Sequence, residues 1–375
     1  MQLKINPTVL SEAIKKVEKV VKPKHATPIL QGIYMEATKE ELIFVGSDAN
    51  ETFRYLVPVD GENVDVIQPG KTVLSKQITD VLKKLKKEIT MILNGQILAI
   101  TSARSNFDMN TFDPEEYPKL PSYEIDQPTF SLKGTEFHSI AKKTMFAASE
   151  SETRPILTGV CLDMSSDCMN FVSTDSHRLG KVKTTSTSDK ELKVVIPAKS
   201  LDNLIKTFDL SVDVHVYCES DSQIIFRNGP LVFYCRLLEG NYPDTSRLIP
   251  SEFKSEMKIN RKVFLEELEI IKGVSLSTDN GKGGVVKLHV NGAATISSYT
   301  AQTGKGQSVV EYDSIEGEET EYDISFSAKY LIDALKAIDD DFVYFKYQGN
   351  MRPFVVAPCE STVDELQLIL PVRTY

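Results

Sequence analysis

The sequence predicts an α+β protein built from three copies of one small domain, and two observations carry that expectation. The first is a long internal repeat. Ile5 and Leu10 recur 127 residues along as Leu132 and Phe137, and again as Ile259 and Phe264. Pro28-Ile29-Leu30, Gly32, Phe44 and Asp48 reappear at the same offset as Pro155-Ile156-Leu157, Gly159, Phe171 and Asp175. A solenoid unit runs about 20 to 50 residues, so a period this long fits a whole domain. The second observation is that each repeat holds two stretches of helical spacing set among short β-rich runs. Domain limits follow near 127 and 254, giving 1–127, 128–254 and 255–375.

The first helix of each repeat is read from its apolar spacing. Leu10, Ile14, Val17 and Val21 fall on one helical face, as do Phe137, Ala141, Met145 and Ala148, then Phe264, Leu268 and Ile271. A second helix opens at Leu74-Ser75-Lys76, Pro197-Ala198-Lys199 and Ser327-Ala328-Lys329, where Ser and Pro favour a helix start. Its buried faces are expected to be Ile78/Leu82/Leu85, Leu201/Ile205/Phe208 and Leu331/Leu335/Ile338. Runs at 42–45, 89–93, 212–217, 223–226 and 342–347 are rich in β-branched and aromatic residues and read as strands. Proline-bearing joints at 120–128 and 249–254 interrupt helix and strand alike. Gly281-Lys282-Gly283-Gly284 lacks the spacing of a phosphate-binding loop and reads as a hairpin turn.

Composition narrows the class. With 41% apolar residues each repeat has material for a core. No apolar run approaches the ~18 residues of a membrane span, and the start Met-Gln-Leu-Lys-Ile-Asn-Pro lacks the regions of a signal peptide, so a cytoplasmic address is expected. Five cysteines, odd in number and without a CxxC pair, suggest neither zinc nor disulfides. The histidines are scattered without metal-ligand spacing, and no cofactor is indicated.

The net charge of −10 argues against a protein that coats DNA with a basic surface. It conceals a division, however. The six helical stretches (8–24, 74–88, 135–149, 198–208, 261–272 and 327–338) hold 19 Lys and Arg against 10 Asp and Glu, while the remainder carries −19. Basic helices on an acidic body suit a protein that guides a polyanion along one surface and repels it elsewhere. Lysine is also a good solvated helix residue, and the recurrence of Lys76/Lys199/Lys329 and Lys83/Lys206/Lys336 is compatible with both readings.

Four motifs then carry a resemblance. Glu152-Thr153-Arg154-Pro155-Ile156-Leu157-Thr158-Gly159, Ser173-Thr174-Asp175-Ser176-His177-Arg178-Leu179, Leu237-Leu238-Glu239-Gly240-Asn241-Tyr242-Pro243-Asp244 and the terminal Leu368-Ile369-Leu370-Pro371-Val372-Arg373-Thr374-Tyr375 look like the bacterial sliding clamps, the β subunits of DNA polymerase III. The likeness runs from end to end, and the Arg-Thr-Tyr ending is most similar to the Gram-positive branch. Ala49-Asn50-Glu51 and the lysine-dense 83–87 depart from the family pattern.

The resemblance implies a head-to-tail homodimer whose six domains, each with two helices packed on antiparallel sheets, close a ring around duplex DNA. It further implies DNA contacts without sequence preference at Lys24, Ser151 and Arg154; Lys199 and Lys206 join them as lysines on the helices. A peptide groove is implied at Leu157, Thr174, Ser176, His177, Arg178, Leu179, Pro243, Arg247, Leu248, Leu370, Pro371, Val372 and Arg373. It would serve the replicative polymerase, the clamp loader and other replication and repair proteins bearing a clamp motif. Ser176 stands where some relatives have glycine, a change expected to alter only the rim. Phe107 and Leu276 match the family's subunit contact.

Two other readings remain to be weighed. Asp175, Ser176 and His177 suggest acid/base or metal-dependent hydrolysis, yet catalytic groups usually converge from separate segments, and Asp48 repeats Asp175 with no following histidine; no catalytic residue is expected. A monomeric three-domain adaptor that binds peptides without encircling DNA is the alternative of a different class.

Overall fold

The computed structural model describes residues 1–119, 127–186, 188–274, 284–300, 304–361 and 363–373. The joint around Pro121, the Gly281–Gly283 turn, Leu276 and the last two residues lie outside that range.

Each repeat opens with a strand that feeds a helix. Gln2–Ile5 leads into α1 (Pro7–Val17), Phe130–Leu132 into α3 (Gly134–Met145) and Ser255–Asn260 into α5 (Arg261–Val274). The second helices are α2 (Lys76–Leu82), α4 (Ala198–Ile205) and α6 (Ala328–Ala337). Local chemistry sets their starts. Asn6 accepts a hydrogen bond from Thr8 N with Pro7 as the first helical residue, and Ser75 and Ser327 accept from Ile78 N and Tyr330 N.

The expected helix over 8–24 stops early. α1 ends at Val17 and tightens into a 3-10 turn, Glu18–Val20. Pro23 has no N–H to continue the ladder and disfavours helical backbone at Lys22. Gly46 also passes so close that a Cβ there would lie 2.1 Å from the Val17 carbonyl oxygen. On the second helices, Leu85 is half-buried, and Leu204 is buried where Ile205 is only half so.

Two compact units divide the chain: Met1–Phe137 with Asn203–Leu237, and His138–Asp202 with Leu238–Tyr375. The first contains a five-stranded sheet in the order Val64–Gln68, Gln2–Ile5, Ile89–Asn94, Ile97–Ser102, Ser105–Asn110. It also contains an eight-stranded sheet in the order Phe130–Leu132, Val214–Ser220, Gln223–Asn228, Leu231–Arg236, Glu51–Pro58, Glu41–Ser47, Ile33–Ala37, Gly70–Leu74. The second unit holds a nine-stranded sheet, Leu192–Pro197, Gly159–Met164, Cys168–Thr174, Arg178–Thr185, Asp364–Ile369, Phe354–Pro358, Phe342–Tyr347, Ser255–Asn260, Ser314–Gly317. Its four-stranded sheet runs Gly304–Val310, Ala293–Thr300, Val285–Asn291, Tyr322–Ser327. Neighbouring strands pair antiparallel throughout, so one face of each can turn to a core and the other to solvent.

The two large sheets are made by joining repeats. Glu51–Pro58 pairs with Leu231–Arg236, and Arg178–Thr185, lying 127 residues after Glu51–Pro58, pairs with Asp364–Ile369. At the first joint Phe53 and Phe233 face each other with ring centroids 4.4 Å apart and both fully buried. At the second, Lys143 from α3 reaches the fully buried carboxylate of Glu365. Burial pushes that carboxyl above its ordinary value, and the ammonium of Lys143 pulls it back.

The repeat extends to turn geometry. Asp48 Oδ1 accepts from Asn50 N and Glu51 N, and Asp175 Oδ1 accepts from His177 N and Arg178 N. Between them sit Ala49 at φ 73° and Ser176 at φ 74°, left-handed positions that cost a residue with a Cβ. Gly32 and Gly159 likewise share a role, since a Cβ on either would fall within 3 Å of a carbonyl oxygen, that of Leu74 or of Ile196.

The buried pair gives a stability test. Lys143→Ala leaves the buried Glu365 carboxyl without its cation, and should cost about 3–5 kcal/mol in denaturant unfolding. Replacing both residues with apolar ones of similar size should cost far less; equal losses for the two variants would show that the ion pair is not what matters there.

Candidate functional site

In the second unit, pairing of Leu179 with Leu368 places both in an apolar cluster with Val172 and Val355. Ile249, Phe253, Leu366 and Leu370 pack around it partly exposed. The chain after the last strand is fixed by two backbone bonds, Leu370 N donating to His177 O at 2.9 Å and Val372 N to Ser325 O at 2.7 Å. Leu370, Pro371 and Val372 are therefore half-buried and Arg373 is exposed. Leu157 is buried in the 3-10 turn Pro155–Thr158. Pro243 and Arg247 are exposed, and Leu248 leaves half its surface open beside Ile249. The result is an apolar floor with exposed anchors at its edge, suited to short apolar segments.

The Thr174 to Arg178 turn is built rather than displayed. Thr174 N donates to the Tyr242 hydroxyl at 2.9 Å, and its own hydroxyl donates to Arg178 O at 2.6 Å while accepting from Ser176 N. Burial raises the Tyr242 hydroxyl well above the usual tyrosine range. The Arg178 side chain is 4% exposed, held by Asp175 at 3.0 Å and Asp333 at 2.6 Å, with its guanidinium 4.6 Å from the Tyr330 ring and 5.5 Å from that of Phe146. Its charge is spent on positioning this turn, not on a polar rim. His177 is exposed and stacks on Tyr330 at 6.2 Å. Asp175 Oδ1 accepts from His177 N and Arg178 N and its Oδ2 from Arg178 Nε, so its carboxylate orders the turn.

The reading of the sequence missed Phe146, Tyr330, Asp333, Val172, Val355, Ile249 and Phe253. Tyr330 and Asp333 stand three apart on α6, a spacing that shares a helix face, but nothing local says that the face meets Arg178.

The cations thought to meet DNA are spread over both units and are described by unit. Lys24 is exposed beyond Pro23. Lys206 lines a cavity of about 450 Å³ with Lys15, Lys16, Lys19, Lys83 and Lys86, which the sequence reading counted among the basic helices but, apart from Lys206, did not name as DNA contacts. Lys16 and Lys19 donate to the carbonyls of Thr207 and Lys206 at 2.6 and 2.7 Å. In the second unit Ser151 and Arg154 are exposed on the turn after α3. Lys199 lines a separate cavity of about 680 Å³ with Ser149, Glu150, Glu152 and Asp202. The recurrent lysines are not uniform: Lys83, Lys329 and Lys336 are tied to Glu18, Asp333 and Glu269. Phe107 sits half-buried on Ser105–Asn110, the edge of the five-stranded sheet.

Three family models match in chain order. The N-terminal domain of the DNA polymerase III beta subunit covers residues 1–121, the central domain 131–244 and the C-terminal domain 246–373. The beta sliding clamp of Bacillus subtilis (strain 168) is 37% identical over the whole of both chains, and that of Staphylococcus epidermidis (strain RP62A) 37% identical over 95% of each. The chain belongs to the DNA polymerase III beta subunit family, the beta sliding clamps. Solved members agree: the beta subunit from DNA polymerase of Streptococcus pyogenes matches with a TM-score of 0.94 at 32% identity, and the sliding clamp of B. subtilis with 0.92 at 35%, each over the full length of both chains. The α+β fold of three clamp domains expected from the repeat is the fold of this family.

Within this clamp fold Ser176 offers a local test. Because a left-handed φ penalises a β-branched side chain by about 1–2 kcal/mol, Ser176→Val should lower the thermal midpoint while Ser176→Gly should not. Equal midpoints for all three proteins would mean that this turn is not fixed in the conformation described.

Proposed function

We propose that two copies of this chain close head to tail into a ring around duplex DNA and tether the replicative polymerase, with no catalysis of their own, in the cytoplasm. One observation carries the ring. Glu51–Pro58, Arg178–Thr185 and Gly304–Val310 occupy the same place in successive repeats. The first two are covered by the last strand of the following domain, whereas Gly304–Val310 has a single neighbour among the described residues. Ser105–Asn110, the first domain's counterpart of the covering strand, is likewise an edge. An edge equivalent to the covering strand in the first domain and one equivalent to the covered strand in the third are what a heterologous, closing contact uses, and pairing them would remove two sites for unwanted pairing. Phe107 stands where Phe233 is buried at the first joint; Leu276 is proposed as its partner by resemblance.

The domains of that ring are taken as 1–127, 128–254 and 255–375. Lys24, Ser151, Arg154, Lys199 and Lys206 supply phosphate contacts that read no bases, which lets the ring slide. The groove formed by Leu157, Thr174, Ser176, His177, Arg178, Leu179, Pro243, Arg247, Leu248, Leu370, Pro371, Val372 and Arg373 takes the clamp-binding segments of polymerase, clamp loader and repair proteins in turn. Arg178 acts in it as a positioning residue. Exchange on one site requires modest affinity, about −8 kcal/mol for a micromolar peptide.

Native mass tests closure: twice the 41.9 kDa chain mass is expected at low micromolar concentration, halving on Phe107→Ala with Leu276→Ala, since each lost side chain removes about 1.5–3 kcal/mol. Leu370→Asp should abolish polymerase stimulation and leave the dimer intact. A double mutant that stays dimeric, or a Leu370→Asp protein of full processivity, would contradict the assignment of interface or groove respectively.

A further inference from the structure

The two joints inside the chain reveal a charge pattern that reverses where a third joint would form. At the first joint α1 presents Lys15 and Lys16; Lys16 donates to Thr207 O at 2.6 Å and lies close enough to Asp209 to help keep its carboxyl ionised, after the hydrogen bonds from Ser211. At the second joint α3 presents Lys142 and Lys143, 127 residues further on, and Asp339 receives them at 2.8 and 3.8 Å. Asp209 and Asp339 hold the same place, three residues after the recurrent lysines Lys206 and Lys336. Continuing the repeat gives Glu269 and Ile270 on α5, and Lys86, three residues after Lys83, beyond α2. Both partners have changed sign together.

We propose that Glu269 of one copy pairs with Lys86 of a second copy across the closing joint, so that the ring-closing contact carries the opposite polarity from the two internal joints. The proposal rests on the head-to-tail reading above and adds the pair that gives it selectivity. Glu269 and Lys86 are both exposed within one chain, and Glu269 is held by Lys336 at 2.6 Å on its own domain. Ile270, at the place of Lys16 and Lys143, is 63% exposed, so an apolar side chain replaces the lysine at this joint. Lys84 and Lys87 flank Lys86, while Glu266 lies one turn before Ile270 on α5, so the two surfaces are complementary beyond a single pair. The arrangement also acts against mistakes. A domain 3 offering Glu269 to Asp209 or Asp339 would face like charge, and Lys142 would face Lys86, so only the correct ends attract.

The lysine-dense 83–87, which departs from the family pattern, gains a purpose here: it recognises the acidic end of the same protein's third domain.

Charge exchange tests this. Dimer dissociation constants would be measured by sedimentation for the wild type, Glu269→Lys, Lys86→Glu and the double variant, with unfolding midpoints checking that each protein is folded. Each single variant should weaken the dimer about tenfold or more, and the double variant should return to within about threefold of wild type, the signature of direct coupling. If the wild type is dimeric and the singles are unaffected, or the double is as weak as the singles combined, the pair is wrong while the ring stands. A wild type that is monomeric would overturn the ring and the pair with it.

Discussion

Antiparallel pairing between the edge strand of one repeat and the last strand of the next is the interaction on which this protein depends. A strand edge exposes a row of donors and acceptors that must find a partner or be guarded, and two such edges, Glu51–Pro58 and Arg178–Thr185, are covered within the chain. The joints share a geometry and differ in chemistry. The first is packed by Phe53 against Phe233, and the second carries the Lys143–Glu365 pair with Gly180 leaving room for Gln367.

The same pairing builds the floor of the proposed groove. Because Arg178–Thr185 meets Asp364–Ile369, Leu179 and Leu368 become neighbours, and the chain leaving the last strand is led past His177. The apolar floor is thus a by-product of a joint, and the buried Arg178, paired with Asp175 and Asp333, holds the turn beside it. Its repeat counterpart at the first joint has Thr52 where this one has Leu179, and the small cavity there is lined by polar residues including Asn50, Gln223 and Arg236.

Much of this was legible in the sequence because the repeat is nearly regular. The helix starts at Ser75 and Ser327 and the strand at 342–347 follow local rules, and the 127-residue offset fixed which residues correspond. What was not legible lies at contacts between distant segments. Nothing near Arg178 announces Asp333 and Tyr330, 155 and 152 residues away, so a residue expected to line the groove has its side chain buried between them. α1 was read too long because Val21 fits the apolar spacing, while the close passage of Gly46 that helps end the helix is a tertiary fact. Lysines counted as one basic surface divide, once placed, into those held by carboxylates and those crowded around the cavity beside α1.

In the proposed ring, closure holds the protein on DNA and charge serves only to guide the helices along phosphates. Retention on DNA after loading onto a nicked circle, followed through a wash at high ionic strength and then through linearisation, tests it most directly. A closed ring predicts that the protein survives the salt wash on the circle and is lost once the DNA has free ends, because counterion-driven contacts are screened while encirclement is not. Equal retention on circular and linear DNA, or release from the circle by salt alone, would contradict it.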